Sequence, residues 1–198
     1  MLIFCEKHSS RLQYTLDYIF QERLGILYEL CHDKDVFHSS KEEKIMYCKT
    51  NEDSNADIIY IKSTDFLYSK EITAIENDTA DFQNSLLPFP TTGSSFTIDP
   101  FANIFFHLSR YEEYYCDTRD KHNRFMAEKS HAYKNNYLQK AVVDRIIISL
   151  RQIIKDKYPQ IYLKEDKYSF TPSYDIDMAF AYKHKGFFIN LLAIKNLQ

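Results

Sequence analysis

The sequence predicts an α/β fold in which a small mixed sheet has flanking helices. Short apolar runs rich in β-branched and aromatic residues alternate with segments whose apolar residues recur every three or four positions. Residues typical of helix starts and stops separate these segments. The composition agrees, since 44% of the 198 residues are hydrophobic and 27% are charged, as in an ordinary globular domain.

The first 61 residues are expected to hold four strands and one helix. Leu2–Cys5 is an apolar run that predicts a short buried strand. Ser9 or Ser10 can cap the following helix, and Gly25 supplies its stop. The apolar positions of that helix are Leu12, Leu16, Ile19, Phe20 and Leu24. Three further runs, 26–31, 44–48 and 57–61, predict strands separated by polar loops.

Two helices are expected after a weakly regular stretch over residues 62–98. Asp99 as N-cap and Pro100 at the first position predict a helix that runs to about residue 115. Residues 116–140 have no periodicity, and so long a connection is uncommon unless it packs or functions. The clearest helix covers 142–158 and ends at Pro159, after which a strand leads to Asp175 and Asp177.

The composition excludes several classes of protein. A dinucleotide or nucleotide phosphate loop needs clustered glycines, and the chain has only 3, all isolated. The apolar run at the N-terminus is too short for a signal peptide, and no segment is long and apolar enough to span a membrane. We therefore expect a cytoplasmic protein with no membrane partner.

Charge is distributed unevenly along the chain. Residues 1–118 hold 10 basic and 20 acidic side chains, whereas residues 119–198 hold 15 and 8. The basic residues are scattered among acidic ones and form no cluster. This favours two complementary protein surfaces and no nucleic acid partner, with a polyanion site as the alternative.

Cysteines, histidines and tyrosines favour structural roles. The four cysteines lack paired spacing, which predicts buried, reduced thiols. No two histidines have the spacing of a metal site, and His32 with His38 is interpreted as part of a surface loop. Arg110 and Glu113 are expected to form an i,i+3 ion pair. The 16 tyrosines are expected to fill the core and its rim.

Asp175 and Asp177 form the sharpest chemical feature. Alternate residues at the end of a strand project to the same side, so the two carboxylates would lie close together. Such a pair can bind a cation, or divide into one metal ligand and one general base. The alternative is that Asp177 caps the next helix and that Asp175 pairs with a lysine.

Two stretches resemble a known family. The sequence DPFANIFFHLSRYEEYYCDTRDKHNRF, continuing through AYKNNYLQKAVVD, resembles the domain that precedes the catalytic domain in a group of bacterial polysaccharide deacetylases of the NodB-homology family. FTPSYDIDMAFAYKHKG is similar to the first strand and first motif of that catalytic domain. The resemblance is strongest over residues 98–186.

The resemblance implies a domain organisation and a chemistry. Residues 1–165 would be an α/β accessory domain, and residues 166–198 the truncated first strand and helix of a (β/α) deacetylase barrel. Asp175 resembles the catalytic base and Asp177 the ligand of a divalent metal, usually zinc, with an acetylated glycan as substrate of the intact enzyme. In the family the two aspartates are adjacent, whereas here Ile176 separates them.

The chain itself is expected to be inactive, because it contains no His-x-x-x-His motif to complete the metal site. The alternatives are a non-catalytic glycan-binding or protein-interaction module, or an Asp-x-Asp glycosyltransferase. The oligomeric state is not evident from the sequence.

Overall fold

Four short strands form one parallel sheet. They are β1 (Leu2–Cys5), β2 (Glu29–Cys31), β3 (Lys44–Cys48) and β4 (Ile59–Lys62), arranged in the order β2-β1-β3-β4. The computed structural model describes residues 1–50, 56–75, 78–165, 167–175 and 186. Every pairing in this sheet is parallel, so the expectation of a mixed sheet was wrong. Helices in the connections from β1 to β2 and from β2 to β3 return the chain to the same end of the sheet, which makes parallel pairing the natural outcome.

Both faces of the sheet are buried. Ile3 and Cys5 of β1 pack into a large cluster with residues from three long helical segments, whereas Leu2 and Phe4 pack on the opposite face in a smaller cluster around Phe37. This arrangement explains why β1, and β3 after Lys44, are apolar rather than alternating, as is usual for parallel strands covered on both sides.

The first helix begins and ends as predicted. α1 (Ser10–Leu16) starts at Ser9, whose Oγ accepts a hydrogen bond from the backbone N–H of Leu12 at 3.1 Å. The chain then continues as a π-helix over Asp17–Leu24 and stops at Gly25, which has a left-handed φ of 69°. The wider π-helical turns were not predicted, because the spacing of Ile19, Phe20 and Leu24 also fits an ordinary α-helix.

The segment between β2 and β3 contains a helix that was not predicted. α2 (Lys34–Ser39) is capped by Asp33, whose carboxylate accepts from the N–H groups of Asp35 and Val36. Its single buried residue, Phe37, packs on the second face of the sheet. Strand β2 is correspondingly shorter than the predicted strand 26–31.

Residues 62–98 are irregular, as predicted, but they include two short elements. A 3-10 turn covers Asp65–Tyr68, and β5 (Thr79–Asp81) pairs antiparallel with β6 (Leu86–Pro88). Residues Gln83 and Asn84 in the turn of this hairpin both have positive φ. The hairpin is separate from the parallel sheet.

The helix predicted from Asp99 to about residue 115 is interrupted. α3 (Pro100–Leu108) is capped by Asp99, and α4 (Glu112–Tyr115) follows after a break at Arg110, whose φ is 51°. The break turns Tyr111 into the core, where its ring lies 4.7 Å from that of Phe66. Burial of one aromatic side chain offsets the cost of a left-handed residue.

The connection after α4 is packed rather than free. It contains a 3-10 turn at Ala127–Lys129 and α5 (His131–Lys134), and it buries Tyr137 completely. α6 (Val142–Lys157) follows, close to the predicted bounds. The core-facing residues of α6 are Val142, Ile146, Ile147, Leu150 and Ile154.

The smaller predictions for single residue types are confirmed. All four cysteines are free, and three of them are buried. Arg110 and Glu113 form an ion pair. Among the tyrosines, Tyr47 and Tyr137 are buried whereas Tyr114 is exposed, which matches a distribution between core and rim.

The chain divides into two compact units, Met1–Glu165 and Asp166–Gln198. The functional domain assignment for these ranges stays a prediction, since most of the second unit lies outside the described residues. None of the helices in the described ranges has the length and hydropathy that crossing a bilayer requires.

Candidate functional site

The structure describes one of the two predicted site residues. Asp175 belongs to the second unit and is exposed to solvent. Asp177, the predicted metal ligand, lies outside the described residues. The pairing of the two carboxylates therefore stays a prediction.

In the ranges that the structure covers, no group of three or more His, Cys, Asp or Glu side chains is arranged to hold a metal ion. Cys5 and His32 lie close together, with the ring Nδ1 of His32 3.5 Å from Sγ and 2.9 Å from the backbone oxygen of Cys5. This pair closes the edge of the sheet between β1 and β2.

The topology points to another location, the carboxyl edge of the sheet between β1 and β3. The strand order is β2-β1-β3-β4, so the connection from β1 leads to its neighbour on one side, while β3 is its neighbour on the other side. Ligands of open parallel sheets bind at the carboxyl ends of two adjacent strands whose connections run in opposite directions. The loops that begin at Glu6 and Lys49 flank this point, and Thr64 follows the neighbouring strand β4.

Asp99 anchors this edge. Its Oδ1 accepts from the N–H groups of Phe101 and Ala102 at the start of α3, and its Oδ2 accepts from the hydroxyl of Tyr47 at 2.8 Å. Oδ2 also accepts from the backbone N–H and the hydroxyl of Thr64 at 2.8 and 2.9 Å. Burial raises the pKa of the Asp99 carboxyl, while these hydrogen bonds act in the opposite direction.

A cavity of about 540 Å³ opens beside Thr64. We call it the aromatic cavity, and its principal lining residues are Thr64, Asp65, Phe66, Thr73, Asp78 and Phe89. The rings of Phe66 and Phe89 lie 4.4 Å apart at an angle of 32°. The cavity thus combines an aromatic wall with hydroxyl and carboxylate groups.

The aromatic wall is held in place from behind by Arg11. Its guanidinium lies within 5.7 Å of the ring centres of Phe66, Phe105 and Tyr111. It also donates hydrogen bonds to the backbone oxygens of Phe66 and Glu71, at 3.1 and 2.9 Å. Arg11 therefore fixes both the ring of Phe66 and the loop that carries it.

Phe89 reaches the cavity through a strained backbone conformation. Its φ is 60°, which is rare for a bulky side chain, and it lies between two prolines. The backbone oxygen of Phe89 accepts from the N–H of Asp99 at 2.8 Å, so the network around Asp99 helps to hold this conformation. Strain of this kind concentrates at functional sites.

A second cavity, of about 500 Å³, shares Ala74 and Ile75 with the aromatic cavity. Its polar lining includes Glu112, Cys116, His131, Lys134 and Asn135. Oε1 of Glu112 accepts from the backbone N–H of His131 at 2.7 Å, and burial raises the pKa of this carboxyl. The N-terminus of α5 is thereby tied to α4.

Two histidines beneath this cavity share one tyrosine. Nδ1 of His107 lies 2.7 Å from the backbone oxygen of Asn103, so it carries the proton, because a carbonyl can only accept. The hydroxyl of Tyr137 can then donate to Nε2 of His107 and accept from Nδ1 of His131, at 3.3 and 2.6 Å. This arrangement requires the ring of His107 to be neutral, because its Nε2 accepts a hydrogen bond.

The pKa values agree with neutral rings. Burial lowers the pKa of His107. Burial is also the main reason that the pKa of His131 is lowered to about 4, and the nearby His107 lowers it further. At neutral pH the two imidazole rings therefore carry no charge.

Sequence reasoning missed both cavities. Apart from Glu112 and Tyr115, the lining residues come from segments that were predicted to be irregular, 62–98 and 116–140, and the sequence order does not show which of them meet. The one available signal was the unusual length of the second segment together with its isolated aromatic residues.

The sequence of the chain is similar to a protein family model. A family model described as a family of unknown function, DUF7033, matches residues 1–159. No curated protein sequence and no solved structure matches the chain. The matched range falls within the first compact unit and includes every residue that lines the two cavities.

Proposed function

The chain belongs to the DUF7033 family, a family of unknown function, and we propose a function for it. We propose that its first 165 residues form a glycan-binding accessory domain of a metal-dependent polysaccharide deacetylase. The aromatic cavity is the observation that carries the binding part of this proposal. The deacetylase part of the proposal rests on the resemblance of residues 98–186 to polysaccharide deacetylases of the NodB-homology family.

The chemistry of the aromatic cavity suits a sugar. Aromatic rings such as those of Phe66 and Phe89 pack against the apolar face of a pyranose ring. The carboxylates of Asp65 and Asp78 can accept hydrogen bonds from sugar hydroxyl groups. The hydroxyl of Thr73 can donate and accept, whereas that of Thr64, which donates to Asp99, can only accept. The volume of about 540 Å³ lies in the range of small-molecule sites.

Preorganisation favours binding as well. Phe66 is fixed by Arg11, and Thr64 is fixed by Asp99 through its N–H and its hydroxyl. A wall that is already ordered loses little conformational entropy when a ligand binds. The cavity can therefore serve as a rigid subsite that holds one part of a glycan chain.

In the intact enzyme Asp175 would act as the base and Asp177 as a ligand of the divalent metal, zinc by analogy with the family. Since the described residues hold no metal site, this assignment rests on the motif alone. We expect the 198-residue chain to bind a glycan without releasing acetate.

Calorimetric titration with acetylated chitohexaose tests the proposal. We expect saturable binding by the chain, and about a fivefold weaker affinity for Asp78→Asn, because a neutral amide accepts more weakly from a sugar hydroxyl. The matched control is Asp117→Asn, an exposed aspartate outside the cavities, which should bind like the unmodified chain.

Three results would count against it. No detectable binding would refute the glycan site, and an equal loss in both aspartate variants would show that only overall charge matters. Release of acetate by the purified chain with added zinc would refute the expected inactivity.

A further inference from the structure

A third cavity lies on the carboxyl side of β1 and has a different chemical character. It measures about 390 Å³ and is formed by Lys7, His8, Arg11, Lys70 and the side chain of Tyr68, with three serines between them. We call it the basic cavity. It shares Ser69 with the aromatic cavity but no charged residue.

Its charge is one-sided. Lys7, Arg11 and Lys70 are cationic, His8 adds an imidazole, and no acidic side chain is among the described residues that line it. The nearby carboxylate of Glu6 is directed to another group, since its Oε1 accepts from the backbone N–H of Lys49. This cluster is not visible in the sequence, where its basic residues are far apart. The fold brings residues 7–11 beside residues 68–70.

Tyr68 supplies an unused donor at the same place. Tyr68 is one of the residues that line the cavity, and only 8% of it is exposed. Its hydroxyl oxygen is buried and has no hydrogen-bond partner among the described residues. The Nζ atom of Lys7 lies 5.1 Å from the centre of its ring. A buried hydroxyl without an acceptor costs free energy unless a ligand provides one.

We propose that the basic cavity binds a phosphate group, either as the free ion or as part of a phosphorylated small molecule. Lys7, His8 and Lys70 would donate to its oxygens, and the hydroxyl of Tyr68 would find its acceptor there. The position agrees with the switch point between β1 and β3, where parallel sheets bind ligands. The scarcity of glycine excludes a backbone cradle, but side-chain donors need none.

This inference does not depend on the glycan site. Arg11 is occupied by the loop oxygens and the rings behind the aromatic cavity, so it contributes charge rather than a free donor. The lysines and Tyr68 can therefore be changed without altering the wall of the aromatic cavity.

The test is a titration with inorganic phosphate at constant ionic strength, followed by calorimetry and by amide chemical shifts. We expect saturable binding with shifts centred on residues 7–11 and 68–70. Lys7→Gln and Lys70→Gln should each weaken binding about threefold, and the double variant about tenfold. Lys41→Gln, which removes an exposed charge outside the cavity, should have no effect.

Tyr68→Phe separates ligand binding from folding. Removing an unpartnered buried hydroxyl should leave the unfolding midpoint unchanged or raise it, while phosphate binding weakens about fivefold. A merely structural tyrosine would not show this combination. Unchanged phosphate affinity in Tyr68→Phe would contradict the assignment of its hydroxyl.

Glucose 6-phosphate identifies the source of the phosphate. Tighter binding than that of inorganic phosphate points to a phosphorylated small molecule, and equal binding points to the free ion. The proposal is overturned if neither compound saturates the site, if acetate binds equally well, or if the double lysine variant keeps full affinity.

Discussion

Asp99 shows at the scale of one residue how a helix cap can also hold a site together. One of its oxygens caps α3, which the sequence predicts, and the other joins Tyr47 of β3 to Thr64 at the aromatic cavity. The second function depends on residues that are distant in sequence. Its loss should therefore cost more than the loss of a cap.

We predict that Asp99→Asn lowers the free energy of unfolding by about 2 kcal/mol. Asparagine is an equally good N-cap, but its amide would face three donors where the carboxylate accepted from them. Urea unfolding measures the change. The control is Asp33→Asn at the exposed cap of α2, which should change stability little. An equal effect at both positions would contradict the second function of Asp99.

The histidine pair predicts a pH dependence of stability. The folded-state pKa of His131 is about 4, below its ordinary value of 6.5. As the pH falls through this window, the unfolded chain binds a proton that the folded chain does not, so the free energy of unfolding decreases. We expect a decrease of about 2 kcal/mol between pH 6.5 and pH 4, discounted for partial exposure.

Denaturant unfolding at several pH values isolates the contribution of His131. The slope of stability against pH should be shallower in His131→Gln than in the unmodified chain, and unchanged in His122→Gln, whose side chain is exposed. The raised pKa of Glu112 contributes an opposite slope, which is common to all three proteins. Parallel profiles for His131→Gln and the unmodified chain would refute the assignment of a neutral buried ring.

At the scale of elements, the irregular features occur where helices change direction. The π-helix after α1 ends at Gly25, and the break between α3 and α4 is at Arg110. Both positions have positive φ, but only the first is occupied by glycine. A glycine stop is visible in a sequence, whereas a left-handed arginine is not, because tertiary packing of Tyr111 compels it.

We predict that Gly25→Ala is more damaging than Gly93→Ala. Both residues have a φ near 70°, so both substitutions strain the backbone by about 1 kcal/mol. At Gly25 the added Cβ would also lie 2.8 Å from Cβ of Lys164, whereas at Gly93 it would meet nothing within 4 Å. The expected loss is about 2 kcal/mol for Gly25→Ala in thermal or urea unfolding. Equal losses would show that the contact with Lys164 relaxes freely.

At the scale of the whole molecule, the first unit has its own core. Among the described residues, the buried members of both hydrophobic clusters lie between Leu2 and Tyr158, and the partly buried ones that pack against them lie between Met1 and Leu163. The family match to residues 1–159 covers the same range. This unit is therefore expected to fold by itself.

We predict that a chain of residues 1–165 unfolds cooperatively in urea. Its free energy of unfolding should agree with that of the full chain within about 0.5 kcal/mol. It should also retain phosphate binding, since all residues of the basic cavity are present. A chain that starts at residue 1 and ends at residue 140 is the control, because it lacks α6 and its core residues, and it should not fold. Substantial destabilisation of the 1–165 chain would show that residues 166–198 belong to the same folding unit.

The sequence by itself determined the local features of this protein. Caps at Ser9 and Asp99, the stop at Gly25, the strand Lys44–Cys48 and the helix before Pro159 all follow from interactions between residues close in the chain. Local propensity and apolar spacing therefore sufficed to predict them. The motif at Asp175 and Asp177 was also recognised from residues close together in the sequence, and its function stays a prediction.

Only the tertiary structure decided strand direction, the break at Arg110 and the composition of the cavities. Tyr137 meets His107 although thirty residues separate them, and Lys7 meets the loop of Lys70 although that loop follows β4. Such contacts depend on which segments the core brings together, and short polar segments carry no periodic pattern that records their partners. The parallel sheet places these segments at one edge, and the candidate sites exist only because of that placement.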